Sequence, residues 1–187
     1  MTPRPLLLCL GLLLAPGVQA GEVVHSDVQH HNGVYSVEIE MVIEGSFDRV
    51  RAIITDYGRL ARLSDILKAS SVERVPGGGI RRHLKFKVCI LFFCLRPTLV
   101  EEVQEIGTHT VRTTVIPSLS DFKSGGSEWQ MTALDPDHSR VRVEYRLEPD
   151  FWIPPLIGPL IIKDVLLKAA KQVINRTEKL ARDRGLH

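Results

Sequence analysis

With 187 residues, 44% of them hydrophobic and 25% charged, the chain has the make-up of one globular domain, and the disordered and low-complexity classes are excluded. Its 24 Lys and Arg stand against 22 Asp and Glu, a formal net charge of +2, which is too small a basic excess for a nucleic-acid partner. No internal repeat or linker-like stretch divides it.

Residues 1–20 stand apart in character. Arg4 supplies a positive start, Leu6–Leu14 an apolar run, and Gly17-Val18-Gln19-Ala20 a small-residue cleavage pattern. That is the layout of a secretory signal peptide, because the apolar run is too short to span a bilayer. Cys9 lies inside the run and is not followed by a mature start, which argues against a lipoprotein. The expectation is a signal peptide over 1–20 and a single domain over 21–187, periplasmic or secreted. Arg4 is the only charged side chain it would remove, so the mature net charge falls from +2 to +1. Of the 3 cysteines, Cys89 and Cys94 would then remain in an oxidising compartment.

From Glu22 to Asn32 the chain is polar with scattered valines, and Asn32-Gly33 is a hairpin dipeptide, so a short strand can precede it. Tyr35, Val37, Ile39, Met41 and Ile43 alternate with polar residues and predict a half-buried strand. Gly45 ends it and Ser46 is a helix N-cap residue type. Phe47, Val50, Ile53, Ile54 and Tyr57 then recur at helical spacing. Leu60, Leu63, Ile66 and Leu67 suggest a second short helix beyond Gly58.

Six further strands follow. Ser70–Val75 precedes the turn Pro76-Gly77-Gly78-Gly79. Leu84, Phe86, Val88 and Ile90 alternate with His83, Lys85, Lys87 and Cys89. Leu95–Ile106 and Thr110–Ile116 flank Gly107, and Pro117–Gly126 reads as a loop. Trp129, Met131 and Ala133 alternate, as do Val141, Val143, Tyr145 and Leu147 after the turn at Asp135-Pro136-Asp137. Short turns between successive strands imply an antiparallel sheet with one buried face.

The chain closes with its longest amphipathic run. Pro154, Pro155 and Pro159 suit an extended lead-in and a first helical turn. Leu156, Leu160, Ile161, Leu167, Ala170, Val173, Ile174 and Leu180 form a wide apolar stripe, opposite Lys163, Lys168, Lys171, Arg176 and Lys179. The basic face is read as solvated. Only the sheet can cover the stripe. The expected fold class is α+β, a curved seven-stranded antiparallel sheet around a long C-terminal helix, with two short helices after the first of the seven strands. Such a sheet closed by one helix leaves room for a cavity.

Catalytic and metal signatures are sparse. His30-His31 is the only close histidine pair, and neighbouring strand residues point to opposite faces, so no metal is expected. His83, His109 and His138 read as surface, and neither G-x-S-x-G nor H-E-x-x-H occurs. Asp56 and Tyr57 could form an acid/base pair facing a cavity, but a helix-end Asp beside a core Tyr is the favoured reading. Asn175-Arg176-Thr177 matches a glycosylation sequon by chance, inside a helix. No cofactor is implied and no catalytic residue is assigned.

The element order resembles the START-like, helix-grip superfamily (SRPBCC), which includes polyketide cyclase/dehydrase and coenzyme-Q-binding proteins. The resemblance spans residues 33–183. It is carried by Gly45-Ser46-Phe47-Asp48-Arg49-Val50, by Thr55-Asp56-Tyr57, and by Phe122, Gly126 and Trp129. P-D-F-W-I-P-P-L-I-G-P, residues 149–159, is similar to exported bacterial members. The resemblance implies a hydrophobic ligand such as a lipid, sterol, quinone or polyketide, with catalysis in only some branches, and the ligand expected here is a lipid, quinone or isoprenoid-like molecule. The alternative it leaves open is a cyclase or dehydratase acting on such a molecule.

Inward alternation facing the helix stripe nominates Met41, Phe86, Val88, Trp129, Met131, Val143 and Tyr145, closed by Leu160, Leu167 and Ile174, as the ligand-binding wall. Its apolar character, with Tyr35, Tyr145 and Trp129 as polar handles, favours binding over catalysis. In an up-and-down order, three apolar connections fall at one end: Leu91, Phe92 and Phe93; Leu119 and Phe122; Phe151, Trp152, Ile153 and Ile157. They form either a portal that touches a membrane surface or a seal. Cys89 and Cys94 are expected opposite each other across the turn at Ile90–Phe93 and able to form a disulfide. Two half-buried thiols are the alternative.

Overall fold

The computed structural model describes residues 21–90, 93–153 and 158–183. The expected signal peptide therefore lies outside the described residues, as do Leu91, Phe92, Leu156 and Ile157. The side chain of Phe93 is not described either.

Strands β1 (Glu22–His31) and β2 (Val34–Glu44) form a hairpin across Asn32 and Gly33, whose φ angles of 50° and 82° are those an Asn-Gly turn provides. Helix α1 (Phe47–Ile54) and a 3₁₀ segment (Tyr57–Leu63) follow. Next come β3 (Leu67–Arg74), β4 (Ile80–Phe86), β5 (Val88–Ile90), β6 (Phe93–Leu95), β7 (Thr98–Ile106) and β8 (Thr110–Val115). A 3₁₀ turn (Pro117–Leu119), β9 (Phe122–Asp135), β10 (His138–Pro149) and α2 (Gly158–Asp183) complete the chain. The main sheet runs β1-β2-β10-β9-β8-β7-β4-β3, antiparallel at every step. α2 packs against β1, β2, α1 and the first 3₁₀ segment. This is the expected α+β helix-grip arrangement.

The sheet has eight strands rather than seven. The addition is β1, whose ladder satisfies the outer backbone groups of β2, while Val23 and Val28 pack partly buried against the core. Two expected long strands are interrupted, because β4 ends at Phe86 and β7 starts at Thr98. Between them β5 and β6 form a separate small hairpin. The break has a backbone cause: Phe86 N–H donates to the Pro97 carbonyl at 2.9 Å, and Lys87 N–H is diverted to the Ile66 carbonyl at 2.8 Å. Pro97 itself offers no donor to continue the ladder.

Ile66 and Leu67 are not helical. The 3₁₀ segment stops at Leu63, and Gln172 of α2 holds the next residues through Ser64 Oγ (3.2 Å) and Asp65 N–H (2.8 Å). Pro117–Gly126 is likewise not one loop, since β9 already begins at Phe122. Ser-Gly-Gly-Ser can be strand there because the neighbouring chains run very close. A Cβ on Gly125 would meet the Arg146 carbonyl and come within 2.9 Å of Leu147 Cα. On Gly126 it would meet the Thr113 carbonyl. Ser46 starts α1 as expected, but only through its carbonyl, which accepts from Val50 N–H at 3.0 Å.

One end of the interior is solid. Ile43, Val50, Met131, Val141 and Ile174 are almost fully buried there, between the ends of β2, β9 and β10 and the helices. The alternation read from β2 and β10 holds: Tyr35, Val37, Ile39, Met41, Ile43, Val141 and Val143 are all buried. Cys89 and Cys94 pair directly across β5 and β6 and form the disulfide. Among the described residues no helix is long and apolar enough to cross a membrane.

Candidate functional site

Away from the solid end, sheet and helix separate and enclose a cavity of about 330 Å³. Its sheet wall is built from Tyr35, Val37, Ile39 and Met41 of β2, Leu84 and Phe86 of β4, Trp129 of β9, and Val143, Tyr145 and Leu147 of β10. The helix wall is Ile161, Ile162, Val165, Leu166, Ala169, Ala170 and Val173. Leu60, Leu63 and Ile66 close one side, while Val88, Leu95, Pro97, Phe122, Phe151 and Ile153 crowd one end. Among the described wall residues only Tyr35, Ser64, Arg82, Trp129 and Tyr145 bring a side-chain nitrogen or oxygen.

Of the residues nominated from sequence, the structure brings Met41, Phe86, Val88, Trp129, Val143 and Tyr145 together on this wall. Met131 and Ile174 pack in the solid end instead. Leu160 is 72% exposed and Leu167 is half-buried off the wall. The stripe on α2 is wider than the cavity. Its Ile161–Val165–Ala169–Val173 edge faces inward, and periodicity alone cannot say which edge that is. At the rim, Phe122 and Phe151 stack edge to face with ring centres 5.5 Å apart and Ile153 lines the cavity beside them. Trp152 is 70% exposed and Leu119 is also exposed. The backbone joins these segments, with Asp150 N–H donating to Asp121 O at 3.0 Å and Asp121 N–H to Thr98 O at 2.9 Å.

Sequence reasoning missed a charged side chain in the wall, Arg82, and the buried carboxylate behind it, Glu101. Arg82 and Glu101 sit opposite each other on β4 and β7, with side chains 3% and 0% exposed. Arg82 donates to Glu101 Oε2 from Nη2 at 2.6 Å and from Nε at 3.2 Å. Thr113 Oγ1 donates to Glu101 Oε1 at 2.6 Å and lies 2.7 Å from Ser127 Oγ, which accepts from Trp129 Nε1 at 3.0 Å. The Tyr57 ring lies 5.8 Å from the guanidinium. Burial pulls the Arg82 pKa down, but Glu101, together with Tyr145 and Tyr57, outweighs it, and the net direction is up. Arg82 thus stays charged. Its Nη1 makes no hydrogen bond among the described residues. The signal was present: Arg82 shares parity with Leu84 and Phe86, and Glu101 with Leu99 and Val103. Each is a charge interrupting an inward apolar series.

The other sequence candidates lie elsewhere. Asp56 is held by Arg59 at 2.8 Å and Arg62 at 2.9 Å, whereas Tyr57 donates to Glu105 at 3.1 Å, so the two are not an acid/base pair. His30 stacks on Tyr35, His83 lies 3.4 Å from Glu73, His138 lies 2.9 Å from Asp135, and His109 Nδ1 lies 2.9 Å from the Met131 carbonyl. Among the described residues no three His, Cys, Asp or Glu side chains gather to hold a metal.

Tyr145 presents its remaining surface to the cavity, and burial pushes its phenol well above the ordinary range. Tyr57 is raised too, by burial first and then by Glu105. Both must stay neutral in the fold, while unfolded tyrosine ionises near pH 10. Their contribution to stability is therefore complete below about pH 10 and lost as pH rises beyond it. Unfolding and phenolate absorbance at 295 nm should appear together between about pH 10 and 12, and Tyr145→Phe should move that transition to higher pH.

The sequence matches the family model described as polyketide cyclase / dehydrase and lipid transport over residues 35–182. Among solved structures the fold is similar to a START superfamily protein from Mycobacterium smegmatis, with a TM-score of 0.62 at 16% identity, covering 78% of this chain and 98% of that one. The ZhuI aromatase/cyclase from Streptomyces sp. R1128 gives a TM-score of 0.61 at 11% identity, covering 81% and 96%. A STAR-related lipid transfer protein from Xanthomonas axonopodis gives 0.59 at 12% identity, covering 81% and 98%. No curated protein matches the sequence.

Proposed function

The chain belongs to the polyketide cyclase/dehydrase and lipid transport family, and from that premise we propose that it binds and carries a hydrophobic molecule in the cavity between sheet and α2 without transforming it. The observation that carries this reading is the wall itself: about 330 Å³ lined almost throughout by aliphatic and aromatic side chains. That volume lies at the low end of small-ligand sites, about 300–1,000 Å³, and suits a single-chain lipid, a quinone or an isoprenoid-like molecule. Arg82 Nη1 offers one donor for a carbonyl or hydroxyl at the ligand's polar end.

A second reading is favoured by that same guanidinium. A charged donor in a dry wall also suits the stabilisation of a developing oxyanion, as a cyclase or dehydratase needs. The ZhuI aromatase/cyclase and the STAR-related lipid transfer protein are both structural neighbours, so the fold does not choose between them. The weight lies with carriage, because both Nε and Nη2 of Arg82 are committed to Glu101 and Asp56 is removed from Tyr57. Native mass spectrometry and solvent extraction of protein purified after export should reveal a bound hydrophobic molecule recovered unchanged. Protein that is empty, and that also fails to bind a fluorescent fatty-acid probe, would refute carriage. Turnover of an extracted ligand would favour the enzyme.

The rim extends the proposal. Exposed Trp152 and Leu119, beside Phe122, Phe151 and Ile153, make a portal that docks transiently on a bilayer surface. Burying a side chain of this kind contributes about 1.5–3 kcal/mol, enough for contact but not anchoring. Trp129→Phe leaves Trp152 as the sole tryptophan. Its emission should then shift to the blue with phosphatidylglycerol vesicles. An unchanged spectrum would assign the rim to sealing alone.

A further inference from the structure

We infer that the fold is built to receive a newly made amino terminus at Gly21, so that cleavage after Ala20 turns a backbone amide into an ammonium group paired with the buried carboxylate of Glu178. Glu178 lies on α2 and is 4% exposed. Its Oε1 accepts two backbone donors, Gly21 N–H at 2.8 Å and Glu44 N–H at 3.0 Å. One carboxylate oxygen thus ties together the start of β1, the end of β2 and the C-terminal half of the long helix. No lysine, arginine or histidine side chain among the described residues pairs with it. The nearby Arg182 is turned to Glu44 Oε2 at 3.3 Å. A buried carboxylate without a counter-charge is costly, and two neutral donors only partly offset that cost.

The position also admits no side chain. A Cβ on Gly21 would run into Glu178 Oε1 and would stand 2.6 Å from Ile174 Cγ2 and 2.7 Å from the Val42 carbonyl. Packing therefore demands glycine at residue 21. Quite separately, the small-residue pattern Gly17-Val18-Gln19-Ala20 ends at the bond before it. The two observations are independent and fall on the same residue.

The chemistry balances with water as co-reactant and a leader-removing peptidase as catalyst. The Ala20 C–Gly21 N bond breaks, hydroxide is added to the Ala20 carbonyl, and the proton goes to the Gly21 nitrogen. An α-amine, ordinarily with a pKa of about 7.7–8.0, takes up a further proton at neutral pH and becomes cationic. The bond to Glu178 then changes from a neutral donor to a charge-assisted one in an already formed socket. Removal of the leader closes the seam between β1 and α2, and the exported form is held more tightly than its precursor. This does not depend on what the cavity binds.

The test begins with the intact mass of the protein recovered after export of the full chain, expected to start at Gly21. A start at any other residue overturns the proposal. Four proteins then form a cycle: the chain beginning at Gly21, the same chain with Ala20 retained, and each of these with Glu178→Gln. Retaining Ala20 should lower the folding equilibrium constant at least tenfold more with Glu178 present than in the Glu178→Gln pair. Equal losses in both backgrounds would show only steric crowding and overturn the ion pair. Should Glu178→Gln fail to fold, acylation of the α-amine in the other two proteins remains decisive. It should be at least tenfold slower in the chain starting at Gly21 than in the one retaining Ala20, and equal rates refute the socket.

Discussion

Arg82→Met is expected to destabilise the protein by about 3–5 kcal/mol, the usual cost of stranding one member of a buried ion pair. Glu101 is 0% exposed and, among the described residues, would keep only Thr113 Oγ1 as a side-chain partner. The loss should far exceed that from breaking an outer-surface pair such as Arg142–Glu38, where exposed partners contribute about 0–1 kcal/mol. Replacing both members, Arg82→Met with Glu101→Leu, should recover most of the stability, since an apolar pair of similar volume carries no desolvation penalty. Urea denaturation of the single and double variants measures this directly. A single-variant loss below about 1 kcal/mol would mean that the pair is not desolvated in the way its geometry indicates. The double variant has a second use. If the folded double variant binds ligand with unchanged affinity, Arg82 only braces the wall; a drop of tenfold or more makes its free Nη1 the anchor for the ligand's polar end.

Ala169→Phe should abolish ligand carriage while leaving the fold intact. Ala169 sits on the inward edge of α2, where an added ring projects into the cavity and not into packed atoms of the solid end. Overpacking a filled core costs about 1–3 kcal/mol, but an existing void absorbs much of that volume. The expected result is a far-UV spectrum like the parent's, a change in stability of no more than about 1 kcal/mol, and at least a tenfold loss of hydrophobic probe binding. The control is Leu160→Phe, on the exposed side of the same helix, which should leave binding unchanged. If Ala169→Phe binds as well as the parent, the cavity is not the ligand site.

The sequence alone determined the things that depend on period and on single residue types. Alternation in Val34–Glu44 and His138–Pro149 fixed which side chains turn inward, because a two-residue period leaves no freedom once one face is apolar. Asn32-Gly33 marked the first hairpin, Pro159 the first turn of α2, and the spacing of Cys89 and Cys94 across a reversal their pairing. With the family's residues, those features were enough for the helix-grip fold.

Tertiary structure decided what depends on which elements meet. β1 is a strand because β2 has an unpaired edge, not because its own sequence is strongly alternating. The wall charge went unseen since Arg82 and Glu101 become neighbours only when β4 and β7 pair around the diverted hairpin between them. A wide apolar stripe on α2 names the helix face but not which edge lines a void, so Ile174 went to the solid end and Ala169 to the cavity; the alternation of β9 likewise turns Met131 inward without saying that it meets the filled end. Periodicity reports how each segment divides water from core. Where that core is filled and where it is hollow follows from the curvature of the sheet against one helix, which no segment encodes by itself.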